Sequence, residues 1–433
     1  FLPEPPVMVG TQSCARCVTP PLMSETARLA ELRKAGMTDA PAVMPAFDGA
    51  TPEMLPDKDK IYFNDYATLV QQQGMLQDHV RTSVYQFAVY ENKDDFRGKR
   101  VLDVGAGTGI LSFFCAKAGA AHVYAVEASG MALKAEKLAA GNGLKDTVTV
   151  LNQRVEDVRL DERVDVLISE PLGIALVNER MLESYLVARD ALLKPGGKMY
   201  PDHSVLHAAP FCDEALYNEQ VQKAQFWSTQ NFYGIDLTPL QTDAHDFYFS
   251  QPVVGHVAPH TLIADSVRHD FDFNTMTLKE IQTFTMEVEY RMTAITQLHG
   301  IALWFDSRFP GSQRQVFLST APHAPLTHWY QVRCLLKAPL PVGPGHVVRG
   351  TLRFEANESR GYNVHCALVN ANTGVEAENT VVTQCALHHF QYTSQQSVAY
   401  AGEAASAAYY GTTPSYPGQA EAASGEAAAQ SGA

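Results

Sequence analysis

The sequence predicts an α/β chain, with a doubly wound parallel sheet in its first half and an antiparallel β domain in its second. Three observations predict this. Between Arg100 and Ser169 short apolar runs alternate with helical stretches. Beyond Tyr200-Pro201 the apolar residues recur at every second position in many short runs. The length of 433 residues gives room for two or three domains and a large core.

Each element rests on its own pattern. Tyr62–Val89 carries Leu69, Met75, Leu76, Val80, Val84 and Phe87 at helical intervals. RVLDVG (Arg100–Gly105) reads as a short buried strand and Ile110–Ala118 as a helix. HVYAVEAS (His122–Ser129) gives a second strand, and Met131–Ala140 a second helix. VTVLNQ (Val148–Gln153) and VDVLIS (Val164–Ser169) follow as strands. Such alternation implies a parallel, doubly wound sheet. Lys194-Pro195-Gly196-Gly197 reads as a turn that interrupts the pattern. Tyr200-Pro201 ends it and is a candidate for a cis bond. VEYRM (Val288–Met292), IALWFD (Ile301–Asp306), YQVRCLL (Tyr330–Leu336) and NVHCALV (Asn363–Val369) alternate with period two and predict an antiparallel barrel or sandwich.

The expected organisation follows. Residues 1–57 form a poorly ordered lead with one helix around Ser24–Ala35. Residues 58–200 form the α/β domain and 201–393 the β domain. The tail 394–433 is mostly Ala, Gly, Ser, Gln and Tyr, which bury too little apolar area to offset ordering entropy, so it is expected to be disordered.

Composition narrows the function. A net charge of -14 argues against duplex binding and suits a basic partner. Seven scattered Cys read as reduced thiols of the cytosol or nucleus. Cys14-Ala-Arg-Cys17 has no second pair at zinc spacing, so no metal site is predicted. No apolar run approaches a membrane span, and the first residues do not form a signal peptide. The start at Phe1 reads as an incomplete or processed chain.

Two stretches carry chemistry. VLDVGAGTG (Val101–Gly109) runs from a strand through a Gly turn into a helix, and its glycines let a ligand approach the backbone. The spacing is G-x-G-x-G, so the dinucleotide pattern is not met, nor is there the Lys-Ser/Thr of a phosphate loop. Glu127 ends the second strand and is placed to accept ribose hydroxyls, and Glu156 follows the third strand, within reach of an adenine amine. Together these describe an S-adenosylmethionine site. The second stretch is SEPLGIALVNERMLESY (Ser169–Tyr185). Glu170 ends an apolar strand, and Glu179, nine residues on, opens an apparent helix. Two like charges from one mostly apolar loop repel, and a bound cation removes that problem.

These residues, with QQQGMLQDHVRT (Gln71–Thr82), LKPGGKMYP (Leu193–Pro201), QPVV (Gln251–Val254) and LTHWYQVRC (Leu326–Cys334), resemble the type I protein arginine methyltransferases, in particular their coactivator-associated branch. The resemblance runs from about Tyr62 to Thr393. It implies a Rossmann-like class I S-adenosylmethionine-dependent methyltransferase domain, then an antiparallel β-barrel domain with a helical dimerisation arm at about 213–245, and hence a homodimer. It implies methylation of arginines in proteins including histones, with S-adenosylhomocysteine as product, a role in transcription and chromatin, and a place in nucleus and cytoplasm. Direct nucleic-acid and membrane partners are not expected.

The resemblance also assigns residues. Glu170 and Glu179 would clamp the substrate guanidinium, with His328 and Asp78 paired near the acceptor nitrogen. Arg81 would meet the cofactor's carboxylate, and Phe63, Tyr66, Gln72 and Met75 would line its pocket. Asp103, Gly105, Gly107, Glu127 and Glu156 complete the cofactor set, with Met181 and Ser184 bordering the adenosine. Trp329 reads as packing. Leu172, Ile174, Ala175 and Asp65 depart from the family's usual residues, which motivates one alternative, a catalytically inactive cofactor-binding scaffold.

Overall fold

The computed structural model describes residues 56–385 and 391–392. The lead up to residue 55, including Ser24–Ala35 and Cys14/Cys17, and the tail 394–433 lie outside the described residues, while residues 56 and 57, expected in the lead, already belong to the first helix.

Three helices open the described chain: α1 (Pro56–Tyr66), α2 (Leu69–Gln77) and α3 (His79–Tyr90). The helical periodicity read over Tyr62–Val89 is thus broken twice. Thr68 caps α2 by accepting the Gln71 N–H, and Asp78 caps α3 by accepting the Arg81 N–H. Helix α3 buries Val84, Tyr85, Ala88 and Val89 against the sheet core. A short helix α4 (Lys93–Phe96) leads into the sheet.

The parallel sheet comprises β1 (Arg100–Val104), β2 (His122–Val126), β3 (Val148–Leu151), β4 (Val164–Ser169) and β5 (Leu193–Tyr200), in the order β3-β2-β1-β4-β5. Between them run α5 (Ile110–Lys117), α6 (Ala132–Gly141) and α7 (Met181–Leu192). The near-continuous apolar strands are buried on both faces, as parallel strands require. The Lys-Pro-Gly-Gly sequence does not interrupt this sheet. It lies within β5, whose register against β4 jumps from Val164–Leu193 to Val166–Lys198, so the extra residues are absorbed as an irregularity.

Register sets the site. Val126, Val104 and Ser169 are aligned across β2, β1 and β4, and the Ser169 hydroxyl donates to the Val104 carbonyl at 2.7 Å. The next residues of the three strands, Glu127, Gly105 and Glu170, therefore emerge side by side. Ligands of open α/β sheets bind in the crevice at such carboxyl ends.

Tyr200-Pro201 is cis. After it come two sheets. One runs β16-β7-β12-β10-β6-β8, with β11 beside β10; the other runs β15-β14-β13-β9. Their strands are β6 (His203–Phe211), β7 (Val253–Gly255), β8 (Val267–Asp272), β9 (Thr283–Arg291), β10 (Thr296–Phe309), β11 (Val316–Ser319), β12 (Gln331–Val342), β13 (Val347–Ala356), β14 (Tyr362–Asn370), β15 (Glu376–Val382) and β16 (Gln391–Tyr392). All pairings are antiparallel except β16 on β7. The sheets approach each other at β12 with β15 and at β8 with β9. Strand β9 alternates buried and exposed residues, the one-sided burial of an antiparallel sheet. An excursion after β6 carries α8 (Glu214–Gln225) and α9 (Gln241–Phe249), with α10 (Leu278–Gln282) following β8. The excursion exposes Phe226, Tyr233, Ile235 and Phe247. Among the described residues no helix is long and apolar enough to cross a membrane.

Candidate active site

The three strand ends open into a cavity of about 310 Å³. Its floor is the Gly loop, Gly105 through Thr108, with Glu127 and Glu156 beside it. Its roof is α1 and α2, through Tyr62, Phe63, Tyr66, Gln72 and Met75. Its far end holds Glu170, Leu172, Ile174, Glu179, His328 and Trp329.

The Gly loop needs its glycines. Gly105 and Gly107 have φ of 69° and 54°, left-handed values that disfavour side chains. A methyl at Gly105 would overlap Met181 Cε, and one at Gly107 would lie 2.7 Å from Gln72 Oε1. The Glu127 carboxylate braces the loop, accepting the Gly107 N–H and the Ser129 N–H, each at 2.7 Å. Glu156 lies in the 3-10 turn Val155–Asp157 and accepts the Ser184 hydroxyl at 2.6 Å. Backbone amides, an acid at the second strand end and an acid beside an apolar Met181 suit a nucleoside with few phosphates.

Asp103 is a correction. It does not line the cavity; it is fully buried, and its Oδ2 accepts the Ser112 N–H and hydroxyl at 3.0 and 2.7 Å. Burial pushes its carboxyl up to about 7, against the pull of those hydrogen bonds. Its Oδ2 bonds fix the start of α5.

The far end is a tightly wound loop. Ala175, Leu176, Glu179 and Arg180 all have φ between 48° and 72°. Left-handed backbone at non-glycine residues costs about 1 kcal/mol each and persists only where surroundings enforce it. Here they do. Gly173 pairs with Leu176, and a methyl on Gly173 would overlap the Asn178 carbonyl. The β domain pegs the loop from outside: the Trp329 indole N–H donates to the Leu172 carbonyl at 2.7 Å, the Asn178 amide to the Gln384 carbonyl at 3.1 Å, and Arg360 Nε to the Glu179 carbonyl at 3.2 Å. Trp329 does pack, on Phe305, but it also tethers. The reading of Glu179 as the opening of a helix is corrected: it sits in the 3-10 turn Asn178–Arg180 at φ 72°, and α7 begins at Met181.

Both glutamates face the one cavity, in unequal surroundings. Glu170 Oε2 accepts Nε and Nη2 of Arg81 at 3.0 and 2.9 Å, and Oε1 accepts the Leu172 N–H at 3.1 Å. Arg81 was expected at a cofactor carboxylate; here its guanidinium is turned to Glu170, with Nη1 on the Met75 carbonyl at 3.3 Å. Glu179 Oε2 accepts the Tyr66 hydroxyl at 2.7 Å. Burial, the largest influence, pushes the Glu179 carboxyl up to about 7; the Glu170 charge adds to this, while the Tyr66 hydroxyl and Arg360 oppose it. Glu179 is therefore the carboxylate short of positive charge.

His328 lines the cavity, and Asp78, fully buried, meets it from behind. Asp78 Oδ2 accepts both the His328 backbone N–H and Nδ1–H, at 2.8 and 2.7 Å. Burial disfavours ionised Asp78, but these bonds outweigh it and hold its carboxyl below the usual range. An ionised Asp78 fixes the tautomer, leaving His328 Nε2 as the proton-accepting nitrogen.

Sequence reasoning missed Arg360 and Arg154. Arg360 stacks 4.1 Å over the Tyr62 ring and reaches Asp59 at 2.6 Å; Arg154 reaches Asp59 at 3.0 Å. Neither lies in a motif, and the Asp59 they share is far away in sequence, although Arg154 also pairs with Glu156 at 3.6 Å.

Residues 101–197 match a family described as a methyltransferase domain, and residues 202–369 match the arginine methyltransferase oligomerization subdomain. The solved protein arginine methyltransferase 10 of Arabidopsis thaliana is 32% identical with a TM-score of 0.68, over 74% of this chain and 99% of that one. The chain belongs to the protein arginine methyltransferases. An enzyme–prozyme heterotetramer of this family from Trypanosoma brucei, solved with AdoHcy, is also 32% identical, with a TM-score of 0.66 over 74% of this chain and 100% of that one. Among curated arginine methyltransferases, the probable histone-arginine methyltransferase 1.4 of Arabidopsis thaliana is 51% identical over 71% of this chain and 59% of its own length. Histone-arginine methyltransferase CARMER of Anopheles gambiae is 49% identical over 74% of this chain and 51% of its own. The chain thus spans between half and three fifths of the curated relatives' length.

Proposed function

We propose that this arginine methyltransferase transfers methyl groups from S-adenosylmethionine to guanidinium nitrogens of protein arginines, histones among them, giving mono- and asymmetric dimethylarginine and S-adenosylhomocysteine. The observation that carries this reading is the pair Glu170 and Glu179, both facing the cavity whose other end is the Gly loop.

The residues fit the cofactor. At Gly105 and Gly107 the left-handed backbone and the close Met181 and Gln72 side chains disfavour a Cβ, and Glu127 and Glu156 stand at the polar edge of this cradle. When bound, S-adenosylmethionine supplies an electrophilic methyl on a sulfonium. Gly105, Gly107, Glu127, Glu156, Met181 and Ser184 would hold it from below, and Phe63, Tyr66, Gln72 and Met75 from above.

The chain's own work is electrostatic and positional. An arginine is cationic at any working pH, so bringing it beside a sulfonium is unfavourable. At 4 Å and an effective dielectric of 20 each such charge pair is on the order of 4 kcal/mol. Glu179, short of positive charge, offsets that term; Glu170, already sharing Arg81, supplies geometry more than charge. Carboxylates match the planar guanidinium fork and leave one nitrogen aimed at the methyl. His328 Nε2 is placed to take the proton that the methylated nitrogen sheds, with Asp78 holding the ring. The site gives no support to an inactive scaffold, since both carboxylates stand in the cavity.

The relatives' names support histones as acceptors, and the oligomerization subdomain with the apolar excursion at α8 and α9 supports a homodimer. Nuclear and cytoplasmic residence, with a role in transcription and chromatin, completes the reading. The test is mass spectrometry of arginine products after incubation with labelled S-adenosylmethionine and a histone mixture. Asymmetric dimethylarginine supports it; cofactor binding with no transfer, or symmetric product, overturns it.

A further inference from the structure

Arg360 stands in the turn between β13 and β14, with φ 55° and only 3% of its surface exposed. A buried guanidinium is retained where several partners share it. Its partners are unusual in where they lie. On one side it meets three residues of one face of α1: it donates to Asp59 Oδ1 at 2.6 Å, stacks over Tyr62 at 4.1 Å and lies 5.7 Å from the Phe63 ring centre. On the other side its Nε donates to the Glu179 carbonyl at 3.2 Å. One planar cation thus joins the roof helix to the residue whose carboxylate ends the cavity.

Helix α1 depends on such outside support. Eleven residues are marginal as an isolated helix, and among the described side chains of residues 58–66 only Tyr62 is buried. Arg154 provides a comparison within the same structure. It also reaches Asp59, at 3.0 Å, and lies 5.9 Å from the Phe63 ring, but its other ion pair is with Glu156 at 3.6 Å, and among the described residues it makes no hydrogen bond to the Glu179 loop.

We propose that Arg360 is a positioning residue that couples the seating of α1 over the cavity to the placement of Glu179. The proposal rests on the methyl-transfer reading for its catalytic consequence, but the coupling itself is mechanical. Lifting α1 takes Asp59 and the Tyr62 ring away from the guanidinium whose Nε holds the Glu179 carbonyl, and Tyr66, on the same helix, withdraws its hydroxyl from Oε2. Roof and acceptor clamp are set together.

Hydrogen exchange on the full chain, as wild type, Arg360→Ala and Arg154→Ala, tests this over two segments, 56–66 and 173–180. Arg360→Ala is expected to speed exchange in both by about tenfold or more, and Arg154→Ala in 56–66 alone. At saturating S-adenosylmethionine and histone peptide, Arg360→Ala is expected to lower kcat about tenfold, more than Arg154→Ala does, whose main effect is a raised cofactor KM. Should Arg360→Ala not fold, Arg360→Lys keeps the charge without the planar fork and is expected to shift both segments in the same direction by less. The proposal is overturned if the Arg360 variants leave 173–180 as in wild type, or if Arg154→Ala speeds both segments equally. Absence of methyl transfer by the wild type would remove the catalytic reading alone, because the exchange comparison needs no turnover.

Discussion

The phenol hydroxyl of Tyr66 donates to Oε2 of Glu179 across 2.7 Å, from a roof helix to the floor of the acceptor end. Burial has raised the Glu179 carboxyl to about 7, and this bond is one of the few influences pulling it back down. In the proposed reaction the ionised form is the one that would hold a guanidinium. In kcat/KM, which reports the free enzyme, activity is therefore expected to rise with pH through a limb near 7. Tyr66→Phe removes a stabiliser of the anion, so the limb moves to higher pH. A pH profile whose limb stays in place in the Tyr66 variant would count against this assignment.

The same carboxyl has a stability signature. Its value folded, about 7, lies above its ordinary 4.5, so the folded chain holds this proton more tightly than the unfolded one. Stability is then lost as pH rises from about 4.5 to about 7. Glu179→Gln, which cannot ionise, is expected to be more stable than wild type at pH 8, by on the order of 2 kcal/mol, with little difference near pH 4. Thermal melts of the ligand-free proteins at the two values check this.

In turnover the order reverses. Glu179→Gln is expected to lower kcat by at least about a thousandfold with cofactor affinity nearly unchanged, the scale of losing a group that acts on transition-state charge. Glu170→Gln is expected to be milder in kcat, because Arg81 already offsets that carboxylate, yet to disturb cofactor affinity by releasing Arg81 into the cavity. Single-turnover kinetics with calorimetric binding separates the two. Equal losses in both variants would mean that the glutamates act as a symmetric clamp.

Gly173→Ala places a methyl against the Asn178 carbonyl within the tightly wound loop. That obstacle is backbone and cannot swing away, so the loop must shift. Methyl transfer is expected to fall at least about a hundredfold, as a misplacement near 1 Å can cost. Cofactor affinity, measured by calorimetry, should change far less, because the Gly loop lies on a different strand end.

Asp78 carries a helix cap and two bonds to His328 with one carboxylate. Its carboxyl is held below the ordinary 3.8, so its stabilisation is present above the unfolded value and is lost as pH falls through the folded one. Asp78→Ala is expected to cost about 2 kcal/mol at pH 7, for the cap and for polar groups left unpaired. At pH 2 to 3 the cost should shrink. A pH-independent difference in melting would exclude an ionised Asp78 as the cause.

Much of this was legible before any coordinates. The apolar runs of RVLDV and VDVLIS could only be buried strands, and alternation with helices fixed their parallel arrangement. Spacing placed Gly105, Glu127 and Glu170 at strand ends, and in-register pairing brought them into one row. Glu179 was legible as a site residue but not in conformation. The local sequence Asn-Glu-Arg-Met reads as a helix start, and Gly173 within the loop, with the tertiary contacts from Trp329, Gln384 and Arg360, holds it in the left-handed region. Lys194–Gly197 was misread because Pro and Gly signal a turn locally, while β4 beside them absorbs the excess as a bulge. Asp103 was misplaced because a strand-end acid before a Gly loop points either to ligand or to the next helix, and Ser112 decides that. Arg360 gave no signal, since its partners are up to 301 residues away in sequence.

The tethers from Trp329, Gln384 and Arg360 to the Glu170–Arg180 segment have an evolutionary corollary. A recombination event that grafted residues 56–200 onto a foreign neighbour would carry across the nucleoside crevice intact but leave its acceptor hairpin unmoored. Lineages that keep these tethers are therefore expected to inherit the two central halves as a pair.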